Sequence, residues 1–307
     1  MKVVVTGVNG FVGRHLAIEL ADQGHKVIGI GLGPPDAVVA PNLSDYHEVD
    51  LRQSWPAVDC DGVVHLAALS EVGPSFDHPQ EYIEANSAPM THLGEALLKV
   101  EKHIRIVVVS TGAVYRGPHG IAWDEATPIV PSSPYIVSKM VTEAQSSYYH
   151  DRGLDVIVMR PFNHIGPGQR NGFLLPDLVS GVKEWKKSGN PLRVGNLDTR
   201  RDYTDVRDVA RAYRLALEAP RLAERVFNIC SGKSVSGREL LETVSTAFSF
   251  QHPPDTTDDP TKFRPGDPKD IFGDNTAIHR ALGWRPAIPV VQSVRDVVEA
   301  ESEIGLA

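Results

Sequence analysis

Three glycines spaced Gly7-Val-Asn-Gly10-Phe-Val-Gly13 constrain this chain more than any other feature. They follow an apolar, β-branched run, Val3-Val-Val-Thr6, and precede a stretch of helical spacing, Arg14-His-Leu-Ala-Ile-Glu-Leu-Ala-Asp22. Glycine lets the backbone approach a pyrophosphate closely, and the helix amino end adds N–H donors and a favourable dipole. A plain glycine turn has the same pattern, but a position directly after the first strand points to a dinucleotide site. Gly7, Asn9, Gly10, Phe11, Val12 and Gly13 are therefore candidate cofactor contacts. The spacing is Gly-x-x-Gly-x-x-Gly in place of the more familiar Gly-x-Gly-x-x-Gly.

The same rhythm continues downstream. Lys26-Val-Ile-Gly-Ile30, Gly62-Val-Val-His-Leu66, Arg105-Ile-Val-Val-Val109 and Asp155-Val-Ile-Val-Met159 read as short buried strands, with helical spacing at Thr91–Lys99 between two of them. Apolar strands alternating with helices predict a parallel sheet covered on both faces, a Rossmann-like doubly wound α/β fold. From about Asn163 glycine and proline become frequent and the strand rhythm breaks. Residues 1–162 are expected to form a dinucleotide-binding domain, and 163–307 a smaller, loop-rich, interleaved substrate region. The run Arg225-Val-Phe-Asn-Ile229 is expected to return to the main sheet.

Composition excludes several alternatives. The chain carries 31 basic and 39 acidic residues, a net charge of −8, against the positive footprint of a nucleic-acid protein. Two cysteines, Cys60 and Cys230, form neither a disulfide framework nor a metal spacing. His164, without a second candidate ligand, reads as structural, and no metal is expected. Met1 leads directly into a strand, and no apolar run reaches membrane-spanning length, so a cytoplasmic chain without a membrane partner is expected.

Two further motifs carry chemistry. In Tyr135-Ile-Val-Ser-Lys139 the phenol and the ammonium share one helix face. A cation there favours phenolate, lowering the Tyr135 pKa and fitting it for proton transfer. An exposed Tyr beside a solvated Lys is the alternative. Ser110-Thr-Gly-Ala-Val-Tyr115 follows the strand Arg105–Val109 and puts hydroxyls at the carboxyl edge of the sheet, where doubly wound folds bind ligands.

These pieces, with Asp50-Leu51, His65-Leu-Ala-Ala68, Asn86 and Arg160-Pro-Phe-Asn163, resemble the extended short-chain dehydrogenase/reductase family of sugar-nucleotide epimerases, dehydratases and reductases. The resemblance implies a catalytic triad of Thr111, Tyr135 and Lys139. It implies adenine contacts from Asp50 and Leu51, and a cofactor channel lined by Leu66, Ala67 and Ala68. Asn163 would hold a substrate diphosphate, clamped by Arg201 and Arg264. Surface ion pairing is the alternative for both arginines. A homodimer through the helices of Tyr135 and its predecessor is implied as well.

Within that family, dehydratases place a polar acid–base pair after the catalytic Thr. Gly112 and Ala113 stand there in this chain, so elimination is not expected. Arg160-Pro-Phe-Asn-His-Ile-Gly-Pro-Gly-Gln169 resembles the segment of bacterial GDP-6-deoxy-4-keto-mannose reductases, which form GDP-rhamnose. The expected activity is NAD(P)H-dependent reduction of the 4-keto group of a nucleotide-linked 4-keto-6-deoxyhexose. A nucleotide-sugar 4-epimerase is the alternative, and a non-catalytic dinucleotide sensor the remote one. Gly31 occupies the place of the acid that would bind the adenosine ribose, which tilts the cofactor expectation towards NADPH, with Arg14 as a contributor. Val114-Tyr-Arg-Gly117 departs from the family's Val-Tyr-Gly, so the loop over the substrate is expected to differ.

Overall fold

The computed structural model describes residues 1–263 and 268–304. Along the chain the strands are β1 (Lys2–Thr6), β2 (Lys26–Gly31), β3 (Asp45–Glu48), β4 (Gly62–His65), β5 (Arg105–Val109), β6 (Asp155–Pro161) and β7 (Asn163–Ile165). They continue with β8 (Leu192–Val194), β9 (Arg200–Asp205), β10 (Val226–Ile229), β11 (Ser234–Ser236), β12 (Thr256–Asp258) and β13 (Asp270–Ile271). The helices are α1 (Phe11–Asp22), α2 (Val72–Ser75), α3 (Pro79–Leu97), α4 (Pro134–Asp151), α5 (Leu174–Ser188), α6 (Val206–Glu218), α7 (Gly237–Ala247), α8 (Thr276–Leu282) and α9 (Val290–Ile304).

Seven of these strands form one sheet in the order β10-β6-β5-β4-β1-β2-β3, and each pairing is parallel. β1, β4 and β5 are all but fully buried, because helices cover both faces of the sheet. One core packs Val3, Leu16, Leu20 and Val64 against Tyr213 and Phe227. On the other face, Val4, Val63, Ile106 and Met90 meet Leu93 and Tyr149. The order reverses between β1 and β4, so their carboxyl ends open a crevice at the switch point.

Val226–Ile229 closes one end of the sheet, paired with Val158–Pro161. At the other end lies β3, Asp-Tyr-His-Glu, a short polar edge strand that periodicity does not predict. A separate apolar core, including Leu178, Val182, Leu192, Leu240 and Val294, holds the second, loop-rich region together. Its small sheet runs β11-β9-β13, with β7 also on β9, so the chain passes from β6 through Phe162 directly into this region.

Candidate active site

The glycine motif forms the tight turn its spacing predicts. Gly7 adopts φ +65°, and a Cβ there would stand 3.0 Å from the backbone of Ala67. A Cβ on Gly13 would lie 2.4 Å from the Gly7 carbonyl oxygen and 2.6 Å from that of Val8. Gly10 is the N-cap of α1 without a side-chain hydrogen bond, and the first turn holds no acid. A narrow glycine cradle facing an uncapped helix amino end fits a pyrophosphate.

Across the crevice, Thr6 and His65 lock the loop of Leu66, Ala67 and Ala68, expected to line a cofactor channel. Thr6 Oγ1 accepts the N–H groups of Leu66 (3.1 Å) and Ala67 (3.0 Å), which leaves its proton for His65 Nδ1 at 2.9 Å. Burial, with the charge of Lys139 nearby, pulls the His65 pKa down to about 3. The unfolded chain takes up this proton near pH 6.5, and the folded chain does so only near 3. The contribution of this site to folding stability is therefore complete above about 6.5 and is lost as the pH falls towards 3, at up to about 1.4 kcal/mol per pH unit between the two. Denaturant titrations at stepped pH should show that slope, and His65→Gln should flatten it. An equal slope in both proteins would remove His65 from the acid response.

Asn86 fastens the same loop to α4. It pairs both ways with the Leu69 backbone (2.7 and 3.0 Å) and donates to Ser138 Oγ at 2.7 Å. Asp50 lies beyond the channel, chelated by Arg52, whose guanidinium holds the Asp50 carboxyl below its usual range. Leu51 is buried beside it, and its carbonyl oxygen meets His92 Nδ1 at 2.8 Å.

Ser133 caps α4 by accepting from the Ile136 N–H at 3.2 Å, and Pro134 begins the helix with its φ already set. Tyr135 falls in the first turn and Lys139 one turn on, both buried. The Thr111 hydroxyl, on the turn after β5, is hydrogen-bonded to the Tyr135 phenol and also accepts from the Ala113 N–H at 3.1 Å. Lys139 Nζ donates to the Val109 carbonyl at 2.9 Å. All three members of the expected triad thus meet at the carboxyl ends of β4 and β5.

One expectation fails here. The Tyr135 phenol is not lowered by the ammonium one turn away. Burial pushes it up to about 12, only partly offset by the Thr111 hydrogen bond. The Lys139 cation is spent on the Val109 carbonyl, and burial draws it down to about 8. Desolvation outweighs the Thr111 hydrogen bond, so Tyr135 is a protonated donor throughout the neutral range.

Gly112 proves more restrictive than its missing side chain suggests. A Cβ at that position would stand 2.6 Å from the Phe162 ring. An acid or base at 112 would have to displace that ring, and Ala113 beside it carries no titratable group. Glu125 offers no replacement, since its carboxylate accepts the Asn228 N–H at 2.7 Å behind Tyr115. The extra residue Arg116 stitches its loop down by donating to the carbonyls of Tyr115 (2.7 Å) and Ala113 (3.3 Å) and to Ser132 Oγ (2.7 Å).

Asn163 opens β7 at the exposed rim of the crevice. The next residue, His164, stacks on Phe11 of the glycine motif with ring centroids 5.9 Å apart, and burial lowers its pKa. His15 meets the Pro167 carbonyl at 2.9 Å, so two histidines fasten the segment after β6 to α1. The guanidinium of Arg201 donates to the Arg200 and Pro268 carbonyls at 2.8 and 3.0 Å. Arg264 lies outside the described residues. Sequence reasoning missed the Asn9–Tyr46–Asp36 clamp and the Glu143–Arg160 pair, because each joins residues far apart in the chain. Among the described residues no helix is long and apolar enough to cross a membrane, and no group of His, Cys, Asp and Glu is arranged to hold a metal.

This geometry has relatives. Residues 4–297 match the family model described as GDP-mannose 4,6 dehydratase. The chain belongs to that family, within the extended short-chain dehydrogenase/reductases. It is an NAD(P)-dependent sugar-nucleotide oxidoreductase of the extended type. It is 32% identical to a GDP-6-deoxy-D-mannose reductase of Pseudomonas aeruginosa, covering 97% of this chain and 96% of that one. A UDP-glucose 4-epimerase of Halalkalibacterium halodurans is 29% identical over 96% and 93% of the two chains. Among solved structures, RMD from Pseudomonas aeruginosa complexed with NADPH superposes with a TM-score of 0.82 at 30% identity, covering 98% and 99% of the two chains. MoeE5 in complex with UDP-glucose and NAD gives 0.86 at 29%, with all of both chains covered.

Proposed function

We propose that this chain reduces the 4-keto group of a nucleotide-linked 4-keto-6-deoxyhexose, with the GDP-linked mannose derivative as substrate, GDP-rhamnose as product and NADPH as the preferred cofactor. The observation that carries this reading is a buried, protonated Tyr135 hydrogen-bonded to Thr111, in a site where Phe162 crowds position 112 and Ala113 carries no acid or base. Elimination needs a second acid or base; reduction of a ketone needs only one proton and a hydride. Similarity to the Pseudomonas reductase over nearly the whole chain supports reduction above epimerisation.

When bound, the nicotinamide supplies the hydride for carbon 4. Tyr135 gives its phenolic proton to the developing alkoxide, and Thr111 orients that oxygen through its hydroxyl. Lys139 would hold the nicotinamide ribose with the ammonium hydrogens beyond the one it gives to the Val109 carbonyl. Gly7, Gly10 and Gly13 admit the pyrophosphate to the α1 amino end. Asn9, Phe11 and Val12 complete that turn, while Leu66, Ala67 and Ala68 line the channel and Asp50 and Leu51 flank the adenine. Asn163 and Arg201 face the sugar-nucleotide diphosphate. The protein acts as a cytoplasmic homodimer joined through α3 and α4. Turnover with GDP-, dTDP- and UDP-linked 4-keto-6-deoxyhexoses tests the substrate class: the GDP compound should be oxidising NADPH fastest, and no turnover with any of the three would refute the proposal.

Cofactor preference follows from the rim of β2. A Cβ on Gly31 would lie 2.8 Å from the Tyr46 hydroxyl, so a ribose-binding acid there would have to displace that phenol. Asn9 and Tyr46 instead pin the loop after β2 through the Pro34 carbonyl (3.0 Å), the Asp36 N–H (3.0 Å) and the Gly33 carbonyl (2.6 Å). This loop sets Asp36 against the half-buried Arg14 at 2.9 Å. The guanidinium is well placed to exchange that carboxylate for a 2′-phosphate. Arg14→Met is expected to weaken NADPH binding about tenfold or more, the cost of one charge-assisted bond, and to leave NADH within about a factor of two. Calorimetric titration with both cofactors checks this, and equal losses for the two would overturn the role of Arg14.

A further inference from the structure

Behind Tyr135 and Lys139 lies a buried ion pair that the reaction as described does not use. Glu143 sits one turn beyond Lys139 on α4. Its carboxylate accepts from Ser110 Oγ (2.5 Å), next to Thr111, and from Arg160 Nε (2.9 Å) and Nη2 (2.5 Å) on β6. The side chains of Arg160 and Glu143 are 8% and 12% exposed. Arg160 continues the chain of contacts by donating to the Tyr115 hydroxyl at 2.8 Å, and Tyr115 donates to Asn228 Oδ1 at 2.8 Å.

A buried ion pair is a weak source of stability, because desolvation of both charges offsets their attraction. Its location says more. Glu143 ties together the helix of Tyr135 and Lys139, the strand end that presents Thr111, and the strand that leads through Phe162 to Asn163. We propose that Glu143 is a positioning residue of the reaction: it sets its carboxylate one turn beyond the Lys139 ammonium on α4 and holds the Ser110–Thr111 turn against that helix.

The groups facing the pair are few. Around Lys139 stand Glu143 and Tyr135 on its own helix, the neutral His65 on β4 and the Val109 carbonyl on β5. Around Glu143 stand Lys139, Ser110 and Arg160, with Tyr115 beyond the guanidinium and Glu125 beyond Tyr115. Burial draws Lys139 down to about 8, and the Glu143 carboxylate is the charge that opposes this. Without it the ammonium would deprotonate at lower pH, and the site would lose its cation within the working range.

This inference rests on reading Tyr135 and Lys139 as the proton-handling pair. Glu143→Gln keeps the side-chain shape and an acceptor for Ser110 but removes the charge. In the full chain, the alkaline limb of the kcat/KM profile should move down by about one pH unit, with KM for the sugar nucleotide unchanged. The 15N signal of the Lys139 amine, assigned with Lys139→Met, should titrate lower by the same amount. Glu143→Gln also leaves Arg160 without its anion, so the double variant with Arg160→Gln separates charge from packing. It should recover melting temperature yet retain the shifted limb and the shifted amine titration. An unmoved Lys139 titration in both variants would overturn the proposal, as would unfolding of both, because a structural role alone would then account for the pair. Absence of turnover in the unaltered protein would refute the reductase reading instead, and the amine titration would still decide the role of Glu143.

Discussion

Tyr135→Phe is expected to lower kcat by about 10²–10⁴-fold while leaving the dissociation constant of the cofactor unchanged. The substitution removes one hydroxyl from a fully enclosed ring and leaves its packing in place. With the phenol pushed up to about 12 by burial, Tyr135 holds its proton across the neutral range, which suits a donor to a developing alkoxide. Of the groups beside it, Thr111 lacks acidity, Gly112 has no side chain, and Lys139 is turned to the Val109 carbonyl. Stopped-flow single turnovers separate the chemical step from product release. A Phe variant within about threefold of the parent would remove Tyr135 from proton transfer.

The second large effect belongs to Gly13. Substitution by valine would push a Cβ to 2.4 and 2.6 Å from two carbonyl oxygens and 2.7 Å from the Val8 Cα. These atoms are backbone in the glycine turn, so no rotamer change relieves the clash, and α1 has to move off the sheet. Overpacking in a core costs about 1–3 kcal/mol where side chains can shift, and here the upper end or beyond is expected. Gly13→Val should lower the melting temperature markedly and abolish cofactor binding in the same protein. Parent-like melting would mean that α1 is less tightly seated on the turn than these distances require.

How much of this was legible in the sequence varies with the range of the interaction. β1, β2, β4, β5 and β6 announce themselves as apolar, β-branched runs because both faces of a parallel sheet are buried. The glycine turn and the Tyr135–Lys139 face are local, within seven and five residues, so spacing alone locates them. β3 gave no signal, since a four-residue edge strand of charged and polar residues has neither alternation nor an apolar run. The pKa of Tyr135 was misjudged for a related reason. One cation at helical spacing is visible in the sequence, whereas its turn to the Val109 carbonyl and the burial that raises the phenol are supplied by the whole site. Glu143 reads as an ordinary polar position on α4 until β6 brings Arg160 beside it. The loop-rich half after Asn163 remains the least legible part, its loops being fixed by contacts such as the four N–H and O–H donors on Asp202.

A stoichiometric assay separates reduction from its rivals most directly. Purified GDP-4-keto-6-deoxy-mannose and NADPH are mixed in known amounts with the protein, and the nucleotide sugar is followed by mass spectrometry and proton NMR. Reduction predicts one NADPH oxidised for each sugar converted, and a product heavier by the mass of two hydrogens with an alcohol at carbon 4. A control with intact GDP-mannose should show no loss of water. Sugar converted to its epimer with no NADPH consumed, or water lost from the intact hexose, would contradict the reductase assignment.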